Sequence, residues 1–197
     1  MSVHLLQTAT SVLLKDPTAA LGDVARAAGV GRTTLHKRFP TRTALVRAVA
    51  SDALDLIESV ACHVDFDSDD ALEDLMTRLI ALGPRVEFLL RFPGLERDEE
   101  LAARIREMDR PVLDLITRLQ GTRLRRDLPA WWILQTLYAG LFNAWEAISD
   151  GRLAPLDAPR FVLTTVFEGV SDVRAVDRTG RPEPDLRTDA RARAAER

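Results

Sequence analysis

A short cationic segment near the N-terminus carries side chains that can contact nucleic acid. Residues 32–39 contain no acid, and Leu35 and Phe39 are their two apolar members. Because these two are four positions apart, they share one face of a helix and point into a core. The opposite face suits the major groove of DNA, where Arg and Lys reach guanine edges and Thr and His reach phosphates or bases. The candidate DNA-binding residues on that face are Arg32, Thr33, Thr34, His36, Lys37 and Arg38.

The residues around this segment predict a helix-turn-helix. A short helix ends at Gly29, which can adopt the positive φ of a helix terminus. Val30 is an apolar turn residue that needs burial between two helices, and Gly31 is tolerated as the N-cap of the next helix. Thr41 and Arg42 then open a fourth helix, where Thr41 can cap and Arg42, with the free backbone N–H groups, can meet a phosphate.

These residues together resemble the N-terminal signature of TetR-type transcriptional regulators. The matching pattern is Leu21-x-x-Val24-Ala25-x-x-Ala28-Gly29-Val30-x-x-x-Thr34-Leu35-x-x-x-Phe39-Pro40-x-Arg42-x-Ala44-Leu45. About 45 residues take part, which is far more specific than a lone helix-turn-helix, whereas the rest of the chain matches in size and helical class alone. The resemblance implies a homodimer that binds a double-stranded DNA operator as a repressor released by a small-molecule effector, with an activator as the alternative.

The chain departs from that family pattern at the helix caps and at one surface position. His36 stands where the family usually has Tyr, so the ring can still donate to a phosphate but can also titrate. Ala20 and Gly31 replace the usual capping hydroxyl residues, at a cost of about 1 kcal/mol for Ala20 and less for Gly31. The basic arm that often precedes the first helix is missing, so we expect no minor-groove contacts from the N-terminus.

Helical periodicity runs through almost the whole chain, which predicts an all-α fold. We expect an N-terminal three-helix helix-turn-helix head followed by a helical regulatory bundle. The expected domains are a DNA-binding head at 1–45, an effector-binding and dimerisation domain at 46–174, and a disordered tail at 175–197, where little is left to bury. Helices of the bundle are expected at about 69–82, 84–92, 98–120, 128–149 and 158–174.

Charge is distributed unevenly along the 197 residues, whose net charge is −3. Residues 1–50 carry a net +5, residues 51–120 a net −9, and residues 121–197 a net +1. A basic head on an acidic body is typical of a protein that binds a polyanion, although solvated helix faces give the same balance. No apolar run reaches the roughly 18 residues of a membrane span and no signal peptide is visible, so we expect a cytoplasmic protein with no membrane partner.

An apolar pattern near the C-terminus predicts the dimer contact. Residues at spacings of three and four form a heptad-like seam in the helix at 128–149, and small residues beside it let another helix approach closely. Two such helices from each subunit would form a four-helix bundle, which is the pairing that the resemblance to TetR-like proteins implies. The alternative is that both seams are intramolecular core. The seam is Trp131, Leu134, Tyr138, Leu141, Trp145 and Ile148, the small residues are Ala139, Gly140, Ala144 and Ala147, and the next helix offers Val162, Val166, Gly169 and Val173.

Aromatic side chains in the body are candidates for an effector pocket, with plain core as the alternative. Two amides in the middle of a helix strengthen the case, because buried amides need partners that a ligand can provide. No cationic pocket is indicated, so we expect a small apolar or amphipathic effector. The candidate effector-binding residues are Phe88, Phe92, Met108, Trp132, Gln135, Tyr138, Phe142 and Asn143.

The sequence gives little support for a metal site or a catalytic site. The three histidines lack paired metal spacing, and the calcium-loop-like start at residues 65–69 fails because Asp70 and Met76 occupy the positions that need Gly and Glu. We therefore expect no metal, no cofactor and no enzyme. The competing hypothesis is an all-α ligand-binding or protein-interaction module with a vestigial helix-turn-helix, which the weak caps and overall acidity favour.

Overall fold

The computed structural model describes residues 2–92 and 94–170 and contains, within them, nine α-helices and one short 3₁₀ turn. This confirms the all-α class and the order of head and bundle. The helices are α1 (Ser2–Lys15), α2 (Leu21–Ala27), α3 (Arg32–Arg38), α4 (Arg42–Ala61), α5 (Ala71–Leu82), α6 (Pro84–Arg91), α7 (Glu99–Leu119), α8 (Ala130–Ser149) and α9 (Ala158–Val170), with the 3₁₀ turn at Leu95–Arg97.

Two apolar clusters hold the helices together. The head cluster gathers buried side chains of α1, α2, α3 and the first half of α4, among them Leu13, Val24 and Leu45. Phe88 of α6 and Leu101 of α7 belong to the same cluster, so the head packs directly on the body. The predicted boundary at residue 45 falls inside α4, which is continuous, and the division into domains stays a prediction.

The body cluster is built from the second half of α4, from α5, and from α7, α8 and α9. Most of the heptad-like seam lies in this cluster: Leu134, Leu141 and Trp145 are buried, and the Trp145 indole donates to the Ile80 carbonyl at 3.4 Å. From Leu134 onwards the seam is therefore intramolecular core, and the assignment of these residues to the dimer contact is wrong; Trp131, at the start of the seam, is 57% exposed. Its periodicity arises because one side of α8 packs against neighbouring helices of its own subunit.

Two of the small residues of α8, Gly140 and Ala144, serve the same internal packing, whereas Ala139 is exposed. A Cβ placed on Gly140 would come within 2.8 Å of a methyl group of Val162, so glycine permits the close approach of α8 and α9. Val173 and the predicted tail at 175–197 lie outside the described residues. Among the described residues, no helix is both long and apolar enough to cross a membrane.

Arginines from the end of α7 and the following loop hold the acidic loop before α5. Arg118 donates to the Phe66 carbonyl and pairs with Asp67 at 3.3 Å, and Arg123 donates to the Asp69 carbonyl at 3.0 Å. Guanidinium groups of the same chain therefore bind the loop whose sequence resembles the start of a calcium site.

Candidate nucleic-acid interface and ligand cavity

Helix α3 presents a continuous polar surface. Leu35 is 1% exposed and Phe39 is buried, as their spacing predicts, and the other side chains of α3 face solvent. No carboxylate in the described part of the chain lies within ion-pair distance of Arg32 or Lys37. The exposed set is the predicted one: Arg32, Thr33, Thr34, His36, Lys37 and Arg38.

The turn before α3 has the geometry that its residues predict. Gly29 has φ +64°, Val30 packs half-buried against the head cluster, and Gly31 is the N-cap of α3 without a side-chain hydrogen bond. The weak cap at Ala20 is partly compensated, because the Asp23 carboxylate accepts the Ala20 N–H at 3.1 Å. The helix-turn-helix is therefore formed, and α3 is held at a defined angle to the rest of the head.

The two residues at the start of α4 behave differently from each other. Thr41 caps the helix as predicted, because its hydroxyl accepts the Ala44 N–H at 3.1 Å. Arg42 turns back into the head: its Nε donates to the Ala19 carbonyl at 3.2 Å, and a terminal nitrogen donates to the Pro17 carbonyl. The guanidinium thus stabilises the loop between α1 and α2, which differs from the predicted phosphate contact.

A small cavity of about 70 Å³ lies in the body between α4, α5, α6, α7 and α8. Its wall is almost entirely apolar, with Ile57 from α4, Met76 from α5, Ile105 and Met108 from α7, and Tyr138 from α8. Ligand pockets usually measure about 300–1,000 Å³, so a drug-sized molecule must enlarge this cavity by moving its helices.

A polar pair stands beside the apolar wall. The Tyr138 hydroxyl donates a hydrogen bond to the Asp109 carboxylate and so joins α8 to α7. Burial raises the pKa of the Asp109 carboxyl, against the opposing effect of this hydrogen bond. No cationic side chain lies within ion-pair distance of Asp109 in residues 2–92 and 94–170, whereas Glu87, which is also shielded, pairs with Arg91 at 3.1 Å.

The predicted effector residues are dispersed. Met108 and Tyr138 line the cavity. Phe88 is in the head cluster and stacks on Phe92 at 4.2 Å between ring centroids, and Phe142 lies under the Arg91 guanidinium. The remaining three are exposed on α8, so the two amides are not buried and the argument from buried amides is wrong; they are Trp132, Gln135 and Asn143.

Asp109 was not among the predicted residues, although the sequence contains a signal for it. It follows Met108 directly and lies four positions after Ile105 and three before Val112, so it shares the side of α7 that carries these cavity residues. An acid among apolar residues on one helix face indicates a functional carboxylate.

The outer face of α8 and α9 is unusually apolar for a surface. Trp132 of α8 is 52% exposed, and Phe161 of α9 and Leu156 of the loop before α9 are also exposed. Between the two helices runs an open groove of about 300 Å³, whose edges include Ala139 and Thr165. This face has the character of a subunit contact.

The fold and the α3 surface together define a helix-turn-helix regulator that binds DNA. Residues 5–49 match the family model described as bacterial regulatory proteins, tetR family. A curated relative, the HTH-type transcriptional repressor LfrR of Mycolicibacterium smegmatis, is 35% identical over 171 residues, which are 84% of this chain and 88% of the relative. The chain therefore belongs to the TetR family of bacterial transcriptional regulators, and it is not an enzyme.

Solved structures agree with this assignment. The TetR-like regulator LfrR from Mycobacterium smegmatis in complex with proflavine superposes with a TM-score of 0.72 at 32% identity, covering 87% of this chain and 97% of that one. The TetR family regulator PfmR from Thermus thermophilus shares the fold, with a TM-score of 0.66 at 14% identity and coverage of 85% and 99%. Regulators of this family bind DNA operators and small-molecule ligands as dimers, and the hypothesis of a vestigial helix-turn-helix is not favoured.

Proposed function

We propose that this protein is a homodimeric repressor that reads its operator with α3 and is released by a small apolar or amphipathic molecule bound in the body cavity. The observation that carries the proposal is the acid-free, exposed surface of α3 above buried Leu35. Thr41 orients the start of α4 beside it. The proposed domains are a DNA-binding head at 1–45 and an effector-binding and dimerisation domain at 46–174. The protein acts in the cytoplasm, where the operator is.

The outer face of α8 and α9 is the proposed dimer contact. Two α3 helices can enter successive major grooves only if a symmetric pair holds them about 34–36 Å apart. Ala139→Arg places a charge in the middle of this face, and we expect a monomer in sedimentation velocity together with loss of operator binding. Ala103→Arg on the exposed side of α7 is the matched control and should stay dimeric. An Ala139→Arg protein that remains a dimer would place the contact elsewhere.

The cavity favours a ligand that is largely apolar and carries a positive charge. Its wall is apolar, and Asp109 beside it has a hydrogen-bonding partner but no counter-ion among the described residues. A cation bound there would satisfy a carboxylate that burial leaves costly to ionise. The related LfrR structure contains proflavine, a planar aromatic cation with the same combination of properties, which makes proflavine a suitable probe.

The proposal is tested by titrating the protein against the DNA that flanks its own gene, at several salt concentrations, with and without proflavine. We expect specific, salt-sensitive binding that proflavine weakens. Absence of binding at low salt would favour the ligand-binding module instead. Binding that proflavine leaves unchanged, although the dye binds the protein, would contradict release by such a ligand.

A further inference from the structure

A polar groove of about 430 Å³ lies where the head meets the body, between α1 on one side and the turn from α5 to α6 on the other. Gly83, with φ +56°, ends α5, and Pro84 starts α6 at once, so the chain turns sharply there. We name this feature the α1–α6 groove. Its other lining residues are Gln7, Thr10 and Ser11 from α1, Ala81 and Leu82 from α5, and Arg85 from α6. The volume falls within the range of about 300–1,000 Å³ that is usual for small-molecule sites.

Arg85 supplies the charge of the α1–α6 groove. Its side chain is only 16% exposed, yet its guanidinium forms no hydrogen bond with any other described residue. One terminal nitrogen lies 3.7 Å from the Asp52 carboxylate of α4, which is close enough for an ion pair but too long for a hydrogen bond. The guanidinium therefore keeps its N–H donors available, in the fork geometry that binds a carboxylate or a phosphate in bidentate fashion.

The α1 wall of the groove supplies polar atoms that a ligand can contact. The Thr10 hydroxyl donates to the Leu6 carbonyl at 2.8 Å, and the Ser11 hydroxyl donates to the Gln7 carbonyl at 3.2 Å. Because both hydroxyl protons are engaged, these two oxygens can only accept a hydrogen bond from a ligand. The side-chain amide of Gln7 has no partner among the described residues and can both donate and accept. A ligand that matches this wall carries hydroxyl groups beside its anionic group.

The α1–α6 groove and the apolar cavity of the body differ in position and in chemistry. The two share no lining residue among those described. The wall of the cavity is apolar and has the Asp109 carboxylate beside it, which favours a cation, whereas the groove is polar and presents the Arg85 guanidinium, which favours an anion. A ligand of the groove is therefore of a different class from a ligand of the cavity.

We propose that the α1–α6 groove is a second ligand site, which binds a small hydroxylated oxyanion of the sugar-acid or sugar-phosphate type through Arg85. The inference is independent of the proposed release by an apolar ligand. The occupant would contact α1 of the head and α6 of the body at the same time, so it would hold the two parts together. A ligand that binds only the folded protein also raises the melting temperature.

The first test identifies the ligand class with four probes. The full chain is titrated by calorimetry with gluconate, glucose 6-phosphate, glucose and inorganic phosphate. We expect at least one of the first two to bind one to one at millimolar concentration and to raise the melting temperature, and the tighter of the two decides between a carboxylate and a phosphate. Glucose lacks the anion and inorganic phosphate lacks the sugar hydroxyls, so each should bind at least about tenfold more weakly.

The results that would overturn the ligand class are equally specific. If neither gluconate nor glucose 6-phosphate binds at millimolar concentration, the proposal is wrong. Glucose that binds as tightly as the charged probes would rule out recognition of an anion. Inorganic phosphate that binds as tightly as glucose 6-phosphate would rule out the contribution of the α1 wall.

The second test locates the binding site with two variants and a control. Arg85→Met removes the guanidinium and keeps most of the side-chain length. Gln7→Glu places a carboxylate in the groove at an exposed position of α1, so it tests the site even if Arg85→Met fails to fold. Each should weaken binding of the charged probe by about ten- to a hundredfold. Arg78→Met is the matched control, because Arg78 of α5 pairs with Asp74 at 2.8 Å and does not line the groove.

The control should bind the charged probe as the wild type does. Wild-type affinity in either folded groove variant would place the anion elsewhere and refute the site. Proflavine binding is measured on the same proteins and should be unchanged in all of them. Failure of the wild type to bind proflavine would count against the ligand proposed for the cavity, whereas loss of the charged probe alone counts against the groove.

Discussion

The surface of α3 and the side of α7 that faces α4 use positive charge in opposite ways. On α3, Arg32 and Lys37 lie without a carboxylate partner in the described residues, whereas Arg104 on α7 contacts three groups of α4. A cation kept free of acids remains available to a polyanion, and one that is fully engaged holds two helices in register. Asp109 is the reverse case, a half-buried carboxylate with no cation of its own among the described residues. Charges left unpaired thus mark two places where a partner is expected.

The largest effect should come from removing the support beneath the α3 surface. Leu35→Ala leaves a cavity under α3, and we expect a loss of about 2–5 kcal/mol in the free energy of unfolding, with operator binding lost as well. Denaturant titration measures it. Leu156→Ala is the control, because Leu156 is 95% exposed and its loss should have little effect. Equal stability of the two variants would contradict the burial of Leu35.

The proposed role of the unpaired Asp109 carboxylate in ligand binding can be tested with the variant Asp109→Asn. We expect proflavine affinity to fall about tenfold, which corresponds to roughly 1.4 kcal/mol, because the neutral amide cannot pair with the dye. A neutral aromatic ligand should bind both proteins alike. An unchanged proflavine affinity would remove Asp109 from the ligand site.

The pH dependence of proflavine binding provides a second test of the role of Asp109. Because burial raises the pKa of Asp109, wild-type affinity for proflavine should decline as the pH falls towards that raised pKa, while Asp109→Asn shows no such decline. The carboxylate destabilises the fold above its pKa, so its replacement should not lower the free energy of unfolding at neutral pH. Fluorescence titrations and melts over a pH series measure both.

A smaller effect is expected from a single cation of α3. Lys37→Ala should weaken operator binding and reduce the slope of log affinity against log salt by about 0.9, the value for one phosphate contact. Arg152→Ala, in an exposed pair on the body, is the matched control and should keep the wild-type slope. An unchanged slope in Lys37→Ala would show that Lys37 does not contact a phosphate.

The smallest effect is expected at the start of α2. Ala20→Ser adds a hydroxyl that can accept the Asp23 N–H, completing a capping box with the existing bond from the Ala20 N–H to Asp23. We expect the free energy of unfolding to rise by about 0.5–1 kcal/mol. Ala27→Ser, at the exposed end of α2, lacks this geometry and should not stabilise. Equal melting temperatures of the two variants would argue against the cap.

The sequence predicts the α3 surface better than the ligand cavity because the two depend on different distances along the chain. The inward direction of Leu35 and Phe39 follows from a spacing of four within one helix. The cavity combines Ile57, Met108 and Tyr138 from separate helices, and local spacing does not reveal which faces will meet. Trp132 and Tyr138 share α8 yet point to different sides, one to solvent and one to the cavity.

The seam of α8 failed as a dimer prediction for a related reason. Apolar residues at spacings of three and four bury equally well against a partner subunit or against neighbouring helices of the same chain. Leu134, Leu141 and Trp145 pack inside the body, whereas Trp131, the first residue of the seam, is 57% exposed. The positions of the neighbouring helices α5, α6, α7 and α9 decide between the two outcomes.

The continuity of α4 has a consequence for how such regulators can diversify. Leu45 and Val49 belong to the head cluster and Ile57 to the body cluster, yet all three sit on one unbroken helix. A recombination event that exchanges the DNA-reading half must therefore splice through the middle of this helix and keep its rotational phase. An insertion or deletion of a single residue there would turn one cluster by about 100° relative to the other. New operator specificities are thus reached more readily by point changes on the surface of α3 than by shuffling whole heads.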